Sequence, residues 1–540
     1  MNRLGALMLW GCGDGPPDDT HLDQTITFDF AWSSGCALTE DSTTTGECAT
    51  VDAPAYYDTY DETPFLQFTV YRLRQSLNED APAAMWLLGG DLGSSGESLT
   101  KLAIDLAPSW PGVDFYVPDL RGSGKSSALT CGLLQASNSE GGAEITASEW
   151  EACQVAVTTG FSAELPYFTT LNMAYDVEAA IRSAAPASGD QDVTVYATGY
   201  GAIVANQILA TFPDKADHPK FVVDRIVFDG PLTPDRDLAE VDTDADGVVS
   251  GFFRACELDN GCSGRLGSNA RDNLAAALTG LADGACPDLV GGRYDGDGVA
   301  AADDLRAAMY ALFAHHDTVS LVPAVAYRLE RCDAGDVAAL GFLLDAVENE
   351  NLARLTSARP DSPVLALHVG LGELWNAATT VTAARATLDA TVAAPGLGPT
   401  FAGQAGLWPA PEGAANPELA AWTGPVLILA GDLDARQTLA RSQELVDVYS
   451  GADQQYVPMA NATQRTLDGS PVAGGGVPCG EALVAAFVAG GMGAVDVGCT
   501  AQVTSPGFEP SIDLGLAAFG AADPWDAPGA TAEPTVPLFK

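Results

Sequence analysis

The sequence of 540 residues is 47% hydrophobic and 18% charged, which is typical of a folded globular protein and excludes an intrinsically disordered chain. Its 72 acidic residues outnumber 25 basic residues and give a net charge of −47, so the surface repels nucleic acid and anionic lipid, and no nucleic-acid partner is expected. No apolar run reaches the roughly 18 residues that a membrane-spanning helix requires.

The N-terminal segment predicts a lipoprotein-type signal over residues 1–12. Arg3 precedes a short apolar stretch, and Cys12 follows in a lipobox-like setting, where bacterial lipoproteins carry their lipid. An unlipidated signal with a chance cysteine is the alternative. Residues 13–59 then form a tether and an N-terminal disulfide segment. We therefore expect export to the bacterial cell envelope, lipid-anchored or secreted, with membrane contact only through a lipid anchor.

Ten cysteines remain besides Cys12, and an even number in an exported chain indicates disulfides. They fall into pairs that are close in sequence. The predicted pairs are Cys36 with Cys48, Cys131 with Cys153, Cys256 with Cys262, Cys286 with Cys332, and Cys479 with Cys499. A metal site made of cysteines is disfavoured, because the sequence has no Cys-x-x-Cys pair and little histidine.

Strand and helix patterns alternate along most of the chain. The predicted strands are residues 65–73, 83–88, 113–117, 192–196, 221–228, 363–368, 425–430 and 455–458. The predicted helices are residues 98–106, 170–184, 203–212 and 481–488. This alternation predicts an α/β fold with a mostly parallel central sheet and helices on both faces.

The pattern changes after residue 232. Residues 60–232 are predicted to be the first part of the α/β core. Residues 233–360 are alanine-rich and helical, and they predict an inserted cap over the carboxyl edge of the sheet, where such folds bind ligands. Residues 361–500 resume the core. Residues 501–540 are rich in Pro, Gly and Ala and predict an extended tail.

The segment YATGYGA, residues 196–202, lies between a predicted strand and a predicted helix. A strand, a sharp glycine turn and a helix make the frame of a nucleophile elbow, whose usual pattern is G-x-S-x-G. The central position here is Gly199. Because glycine has no side chain, the elbow frame is present without a nucleophile.

Three further segments accompany the elbow. LLGGDLGSSG at 87–96, DLRGSGKS at 119–126 and LILAGDLD at 427–434 resemble the glycine loop, the D-x-R-G-x-G-x-S loop and the acid-bearing strand end of the α/β-hydrolase superfamily. Within it, they are similar to the prolyl and tripeptidyl aminopeptidase branch of serine peptidases. The resemblance spans roughly residues 60–500. It implies an α/β-hydrolase fold, and an oxyanion loop at Gly89, Gly90 and Tyr200.

The resemblance also implies where a catalytic triad would lie. The acid falls on Asp434, the nucleophile position on Gly199 and the base position on Ala462. The order in this fold is nucleophile, acid, histidine, and none of the five histidines follows Asp434. We therefore expect Asp434 to be a vestigial acid, with a structural helix-capping role as the alternative, and the serine and histidine to be lost.

A candidate calcium loop lies in the cap. Asp242, Asp244, Asp246 and Ser250 follow the first nine positions of an EF-hand loop, but position 12 is Phe253 rather than glutamate. Acidic turn chemistry in an acidic protein is the alternative. Calcium is the one cofactor that the sequence suggests.

The first functional hypothesis is a non-catalytic, aminopeptidase-like α/β-hydrolase-fold lipoprotein that binds a peptide, a small ligand or an envelope protein. The second is an active serine-hydrolase or aminopeptidase-like enzyme with an unidentified nucleophile. The third is a calcium-stabilised structural protein of the envelope. The missing serine and histidine favour the first over the second.

Overall fold

The computed structural model describes residues 26–39, 44–57, 63–76, 80–136, 138–186, 191–212, 223–409, 411, 419–420, 422–530, 533–534 and 536–539. Its centre is a nine-stranded sheet with the order β1-β2-β3-β5-β4-β6-β7-β8-β9. The strands are β1 Ser33–Ala37, β2 Thr45–Pro54, β3 Phe65–Leu73, β4 Ala83–Leu88, β5 Val113–Asp119, β6 Asp192–Gly199, β7 Arg225–Pro231, β8 Val426–Gly431 and β9 Gln454–Met459. Strands β4 to β9 pair in parallel, and β1, β2 and β3 extend the sheet through antiparallel pairs.

Nineteen α-helices occur in the described part of the chain. They are α1 Glu97–Leu106, α2 Trp150–Gly160, α3 Thr170–Ala184, α4 Tyr200–Thr211, α5 Val241–Leu258, α6 Asn260–Leu266, α7 Ala270–Ala282, α8 Pro287–Arg293, α9 Gly298–Leu312, α10 His316–Val319, α11 Val322–Arg331, α12 Ala334–Thr356, α13 Pro363–Val369, α14 Val381–Asp389, α15 Leu397–Gln404, α16 Leu439–Val448, α17 Thr466–Gly469, α18 Cys479–Gly490 and α19 Ile512–Phe519.

Alternate residues of the central strands enter two different apolar cores, as the two-residue period of a strand requires. On β4, Trp86 and Leu88 join a core formed with α3 and α4, whereas Met85 and Leu87 join one formed with α1 and α18. Both faces of the sheet are therefore covered, and the predicted α/β class with a mostly parallel sheet is confirmed.

Helices α5 to α15 lie between β7 and β8. Helices α5 to α12 build much of a third apolar core, whereas α13 and α15 pack into the core with α3 and α4. The strand predicted at 363–368 is wrong, since these residues form α13. Ser362 begins this helix, because its hydroxyl accepts a hydrogen bond from the Leu365 amide at 2.9 Å, and Pro363 suits the first helical position. An apolar run of this length does not distinguish a buried strand from a helix.

The C-terminal segment is not simply extended. It contains α19, and its Phe519 and Trp525 are buried in the core of the cap. The buried Arg328 guanidinium on α11 donates to the carbonyls of Pro524 and Ala527 at 2.7 and 2.8 Å. The segment therefore belongs to the cap in space, although it follows the second part of the core in sequence.

All five predicted disulfides are present: Cys36–Cys48, Cys131–Cys153, Cys256–Cys262, Cys286–Cys332 and Cys479–Cys499. The predicted lipoprotein signal and Cys12 lie outside the described residues. Among the helices that the structure describes, none combines the length and the apolar character needed to cross a bilayer.

Candidate functional site

The candidate site lies where β6, β7 and β8 end side by side. Gly199, the last residue of β6, is paired with Pro231 on β7, and the Leu232 amide donates to the Gly199 carbonyl at 3.1 Å. Asp434 follows the end of β8, the next strand in the sheet. The parallel sheet therefore brings the nucleophile and acid positions, 235 residues apart in sequence, to one edge.

The elbow has the strained backbone that this turn requires. Gly199 has φ of +53° and ψ of −130°, and α4 begins at Tyr200. The positive φ favours glycine, because a Cβ there is sterically disfavoured. Gly201 is required for a different reason: a Cβ on it would lie 2.4 Å from the carbonyl carbon and oxygen of Leu88, so only glycine lets α4 approach β4 this closely.

The carbonyl of Gly90 fills the place of a nucleophile side chain. A Cβ on Gly199 would lie 2.6 Å from the Gly90 oxygen, which is closer than real Cβ contacts. The same oxygen accepts a hydrogen bond from the Tyr200 amide at 3.0 Å. In hydrolases of this fold, the amide after the nucleophile stabilises the oxyanion. Here that amide already has a backbone partner.

The Tyr200 side chain ties the elbow to the buried core through its hydroxyl. Its hydroxyl lies 2.7 Å from the Thr170 hydroxyl, which also contacts the Glu373 carboxyl, and Glu373 accepts from the Thr170 amide at 2.9 Å. Burial raises the pKa of Glu373 to about 7. The sequence offered no sign of this network, because Thr170 and Glu373 are 203 residues apart.

Asp434 has one satisfied and one unsatisfied oxygen. Its Oδ1 accepts from the amides of Arg436 and Gln437 at 2.8 and 3.0 Å, both in the loop before α16. The helix-capping alternative is wrong, because the residue that caps α16 is Thr438. Its Oδ2 is buried and has no hydrogen-bond partner among the described residues. Burial raises the pKa of Asp434 to about 7. The Asp434 carboxyl is thus held in place through Oδ1, while its buried Oδ2 has no hydrogen-bond partner among the described residues.

The loop after β9 carries the expected base position. Ala462 is fully buried in the apolar core with Val457 and Leu467, and its carbonyl accepts from the Leu433 amide at 3.0 Å. Gly230 lies between Asp434 and the backbone of Gln464 and Arg465: a Cβ on Gly230 would lie 2.8 Å from Asp434 Oδ2, 3.6 Å from the Gln464 carbonyl and 3.8 Å from the Arg465 amide. Neither residue is a histidine.

Two arginine pairs border the site. Arg436 Nη1 lies 3.0 Å from Asp91 Oδ1, which ties the loop after β8 to the glycine loop after β4. Arg465 pairs with Asp468 of α17. Sequence reasoning missed both arginines. Arg436 and Asp91 are 345 residues apart, so no local spacing links them.

The candidate calcium loop is corrected by the structure. Its residues form the first turns of α5 rather than a loop, because Val241, Ala245 and Val249 recur at helical spacing and bury one face. Their carboxylates already have partners in Arg236, Arg441, Arg271 and the amides of Val392 and Gly396. No group of three or more metal-binding side chains occurs in the described ranges.

Comparison with known proteins agrees with this architecture. A family profile for the α/β-hydrolase fold matches residues 86–261. No curated protein matches the chain. The predicted α/β-hydrolase fold is confirmed, whereas the narrower likeness to prolyl and tripeptidyl aminopeptidases stays a prediction.

Similar solved structures include a bromoperoxidase from Bacillus anthracis, with 12% identity, a TM-score of 0.31, and coverage of 76% of this chain and 92% of that one. A haloalkane dehalogenase loop variant from Bradyrhizobium elkanii has 13% identity, a TM-score of 0.31, and coverage of 82% and 97%. A proline iminopeptidase from Mycobacterium smegmatis has 11% identity, a TM-score of 0.33, and coverage of 74% and 89%.

Proposed function

We propose that this α/β-hydrolase-fold chain is a non-catalytic binding protein, whose ligand occupies the carboxyl edge of the sheet beneath the cap. The ligand is a peptide, a small molecule or a segment of a partner protein. The observation that carries the proposal is the Gly90 carbonyl, which lies 2.6 Å from where a nucleophile Cβ would be and 3.0 Å from the Tyr200 amide. One backbone group therefore blocks both the nucleophile and the oxyanion donor.

The residues beside Gly199 do not replace the missing nucleophile. The Thr198 methyl faces Gly89, whose added Cβ would lie 2.5 Å from it, and Thr198 Oγ1 is buried. The Tyr200 hydroxyl is held by Thr170 inside the core. Acyl transfer needs a nucleophile whose proton an adjacent base accepts, and neither hydroxyl faces such a base.

Among the histidines that the structure describes, none is suited to act as that base. His315, on the cap, has a pKa that the charges of Arg465 and Arg436 affect. Its ring stacks on that of Phe539, with 5.4 Å between the ring centroids. Burial, reinforced by Arg465, lowers the pKa of His315 to about 4. A group with so low a pKa takes up a proton poorly at neutral pH. This argues against an active enzyme with a displaced base.

An active-site probe tests the proposal. The purified protein, with its disulfides intact, is treated with a fluorophosphonate and assayed with ester and aminoacyl-anilide substrates. We expect no specific labelling and no turnover above that of heat-unfolded protein. Covalent labelling at a single residue of the wild-type chain would overturn the proposal.

The Gly199→Ser variant adds a matched test of the geometry. Serine returns the nucleophile but places its Cβ against the Gly90 carbonyl, so we expect this variant to stay unlabelled as well. Thr198→Ser, which changes a neighbouring hydroxyl without touching the turn, is the control. Labelling of Gly199→Ser alone would mean that the Gly90 loop moves away readily.

We further propose that the protein is exported and anchored through Cys12. Five disulfides support an oxidising compartment, because such bonds persist outside the cytosol and rarely within it. Cells fed labelled palmitate should incorporate the label into the wild-type chain and not into Cys12→Ala. Equal labelling of both chains, or of neither, would contradict the anchor.

A further inference from the structure

A buried glutamine beside Asp434 has a side chain without hydrogen-bond partners. Gln437 lies in the loop between β8 and α16, and its backbone amide donates to Asp434 Oδ1 at 3.0 Å. Its side chain is fully buried, yet neither Oε1 nor Nε2 has a hydrogen-bond partner among the described residues. Burying an amide group without hydrogen bonds costs free energy, so native proteins supply such a group with a partner. Gln437 therefore offers one donor and one acceptor next to Asp434.

Another glutamine shows what such a side chain binds in this protein. Gln454, partly buried at the start of β9, accepts at Oε1 from the Gly451 amide at 2.8 Å. Its Nε2 donates to the Trp422 carbonyl at 2.7 Å. Both polar atoms of Gln454 are thus bound to an N–H and a C=O of peptide groups. The same pair of groups, carried by a ligand, would satisfy both polar atoms of Gln437.

Further buried groups without partners lie nearby. Asp434 Oδ2 belongs to the same loop as Gln437. In the loop after β7, the buried Arg236 forms an ion pair through Nη1, whereas its Nε and Nη2 have no hydrogen-bond partner in the described part of the chain. The equally buried Arg328 on the cap, by contrast, donates from all three nitrogens. The loops after β7 and β8 are adjacent, because a Cβ on Gly230 of β7 would lie 2.8 Å from Asp434 Oδ2.

The chemistry of the glutamine side chain selects among ligand groups. A carboxylate can accept from Nε2 but repels Oε1, and an ammonium group can donate to Oε1 but has nothing for Nε2. An ester carbonyl accepts from Nε2 and has no N–H for Oε1. An amide carries the donor and the acceptor together, so it matches both atoms of Gln437 without bringing a charge into a buried place.

We propose that Gln437 binds an amide group of the ligand, with its Nε2 donating to the ligand carbonyl and its Oε1 accepting from the ligand N–H. The inference rests on the proposed binding function and specifies the chemistry of its ligand. The amide belongs either to a carboxamide or to one residue of an extended peptide, whose N–H and C=O point to the same side of the chain.

Calorimetric titration of the full chain at fixed pH and ionic strength tests this inference. The probes are hexanamide, an N-acetylated and C-amidated tetra-alanine peptide, and methyl hexanoate, which keeps the carbonyl but lacks the N–H. Hexanamide or the peptide should bind about tenfold or more tightly than the ester, and the tighter of the two identifies the source of the amide. Gln437→Met, which removes both polar atoms from a side chain of similar length, should weaken that binding about tenfold.

Gln454→Met is the matched control, because Gln454 already has backbone partners and lies at the start of β9, the end of the sheet opposite the site. This control should lower Tm and leave the affinity for the amide unchanged. Gln437→Met should not lower the Tm of the ligand-free protein, because the polar atoms that it removes are buried without a partner. A merely structural role of Gln437 would give the opposite pattern.

Several results would overturn the amide site: equal binding of methyl hexanoate and the amides, no binding of either amide, or unchanged amide affinity in Gln437→Met. A fall in Tm for Gln437→Met as large as that for Gln454→Met would also overturn it, because Gln437 would then already be satisfied, by ordered water or by the chain itself. Peptide binding that is independent of Gln437 would overturn the amide site while supporting the proposed binding function. Whether the chain hydrolyses substrates is decided separately by the fluorophosphonate experiment.

Discussion

Replacing Gly199 by alanine isolates the physical role of this glycine without introducing a nucleophile. Alanine at 199 must adopt φ of +53°, which costs ~1–3 kcal/mol for a residue with a Cβ. Its Cβ meets the Gly90 oxygen at 2.6 Å. Moving that carbonyl to an ordinary contact distance breaks its hydrogen bond with Tyr200, worth about 1 kcal/mol. The reduced freedom of alanine in the unfolded chain offsets ~0.4–1 kcal/mol.

We therefore expect Gly199→Ala to lower the free energy of unfolding by about 2–3 kcal/mol, from the strain, hydrogen-bond and chain-entropy contributions together. An unfolding entropy of ~2.1 cal/mol/K per residue converts this into a fall in Tm of about 2–3 °C for a chain of this length. Calorimetry and urea unfolding measure both quantities.

Gly251→Ala, on an exposed face of α5 with open space around it, is the matched control and should gain ~0.5–1 kcal/mol. Gly201→Ala, whose Cβ would meet the β4 backbone, should lose more than Gly199→Ala. If Gly199→Ala were as stable as the wild type, the strain at the elbow and the contact with Gly90 would both be refuted.

Three further outcomes are expected. The folded-state pKa of Asp434, about 7, lies above its ordinary value of 3.8. The folded chain therefore binds more protons than the unfolded chain, and its free energy of unfolding falls as pH rises from about 4 to about 7. Asp434→Asn should make the free energy of unfolding, measured in urea, less dependent on pH in this range, and an unchanged dependence would contradict the raised pKa of Asp434. Replacing Cys286 and Cys332 by serine opens a loop with a separation of 46 residues and should lower the free energy of unfolding by about 4 kcal/mol through loop entropy. The same change at Cys256 and Cys262, with a separation of 6, should lower it by about 2 kcal/mol. Equal losses in the two variants would argue against loop entropy as the cause. Because the carboxylates of the candidate calcium loop already have partners, calcium and magnesium should shift the Tm of the chelated protein equally, and a shift specific to calcium would restore the calcium hypothesis.

The central sheet was predictable because its strands are short apolar runs bounded by turn residues. The predicted strands 65–73 and 83–88 coincide with β3 and β4, and the predicted helix 170–184 coincides with α3. The sequence also held the signal that overrides the calcium motif: apolar residues at helical spacing from Val241 to Phe252 bury one face of α5. The motif predicted a loop wrongly, because burial of that apolar face makes the backbone helical and the helix then determines where the carboxylates lie.

The detailed chemistry of the site could not be predicted, because it depends on contacts between distant segments. The position of Gly199 was readable from its local motif. The Gly90 carbonyl against it, the Arg436–Asp91 pair and the Glu373–Thr170 contact join segments 109 to 345 residues apart. Such contacts leave no periodic trace in a single sequence. They emerge only when the parallel sheet has aligned the ends of its strands.

Under the proposed non-catalytic function, the contact between Gly90 and Gly199 also makes hydrolytic activity difficult to gain by single mutations. A mutation that restores serine at 199 meets a backbone oxygen, while a histidine introduced after Asp434 has no serine to activate. Each change alone would be harmful or without benefit, so selection would not retain either single mutant. A protein engineer who wishes to introduce a serine–histidine pair on this scaffold should therefore rebuild the loop at 89–96 before introducing either residue.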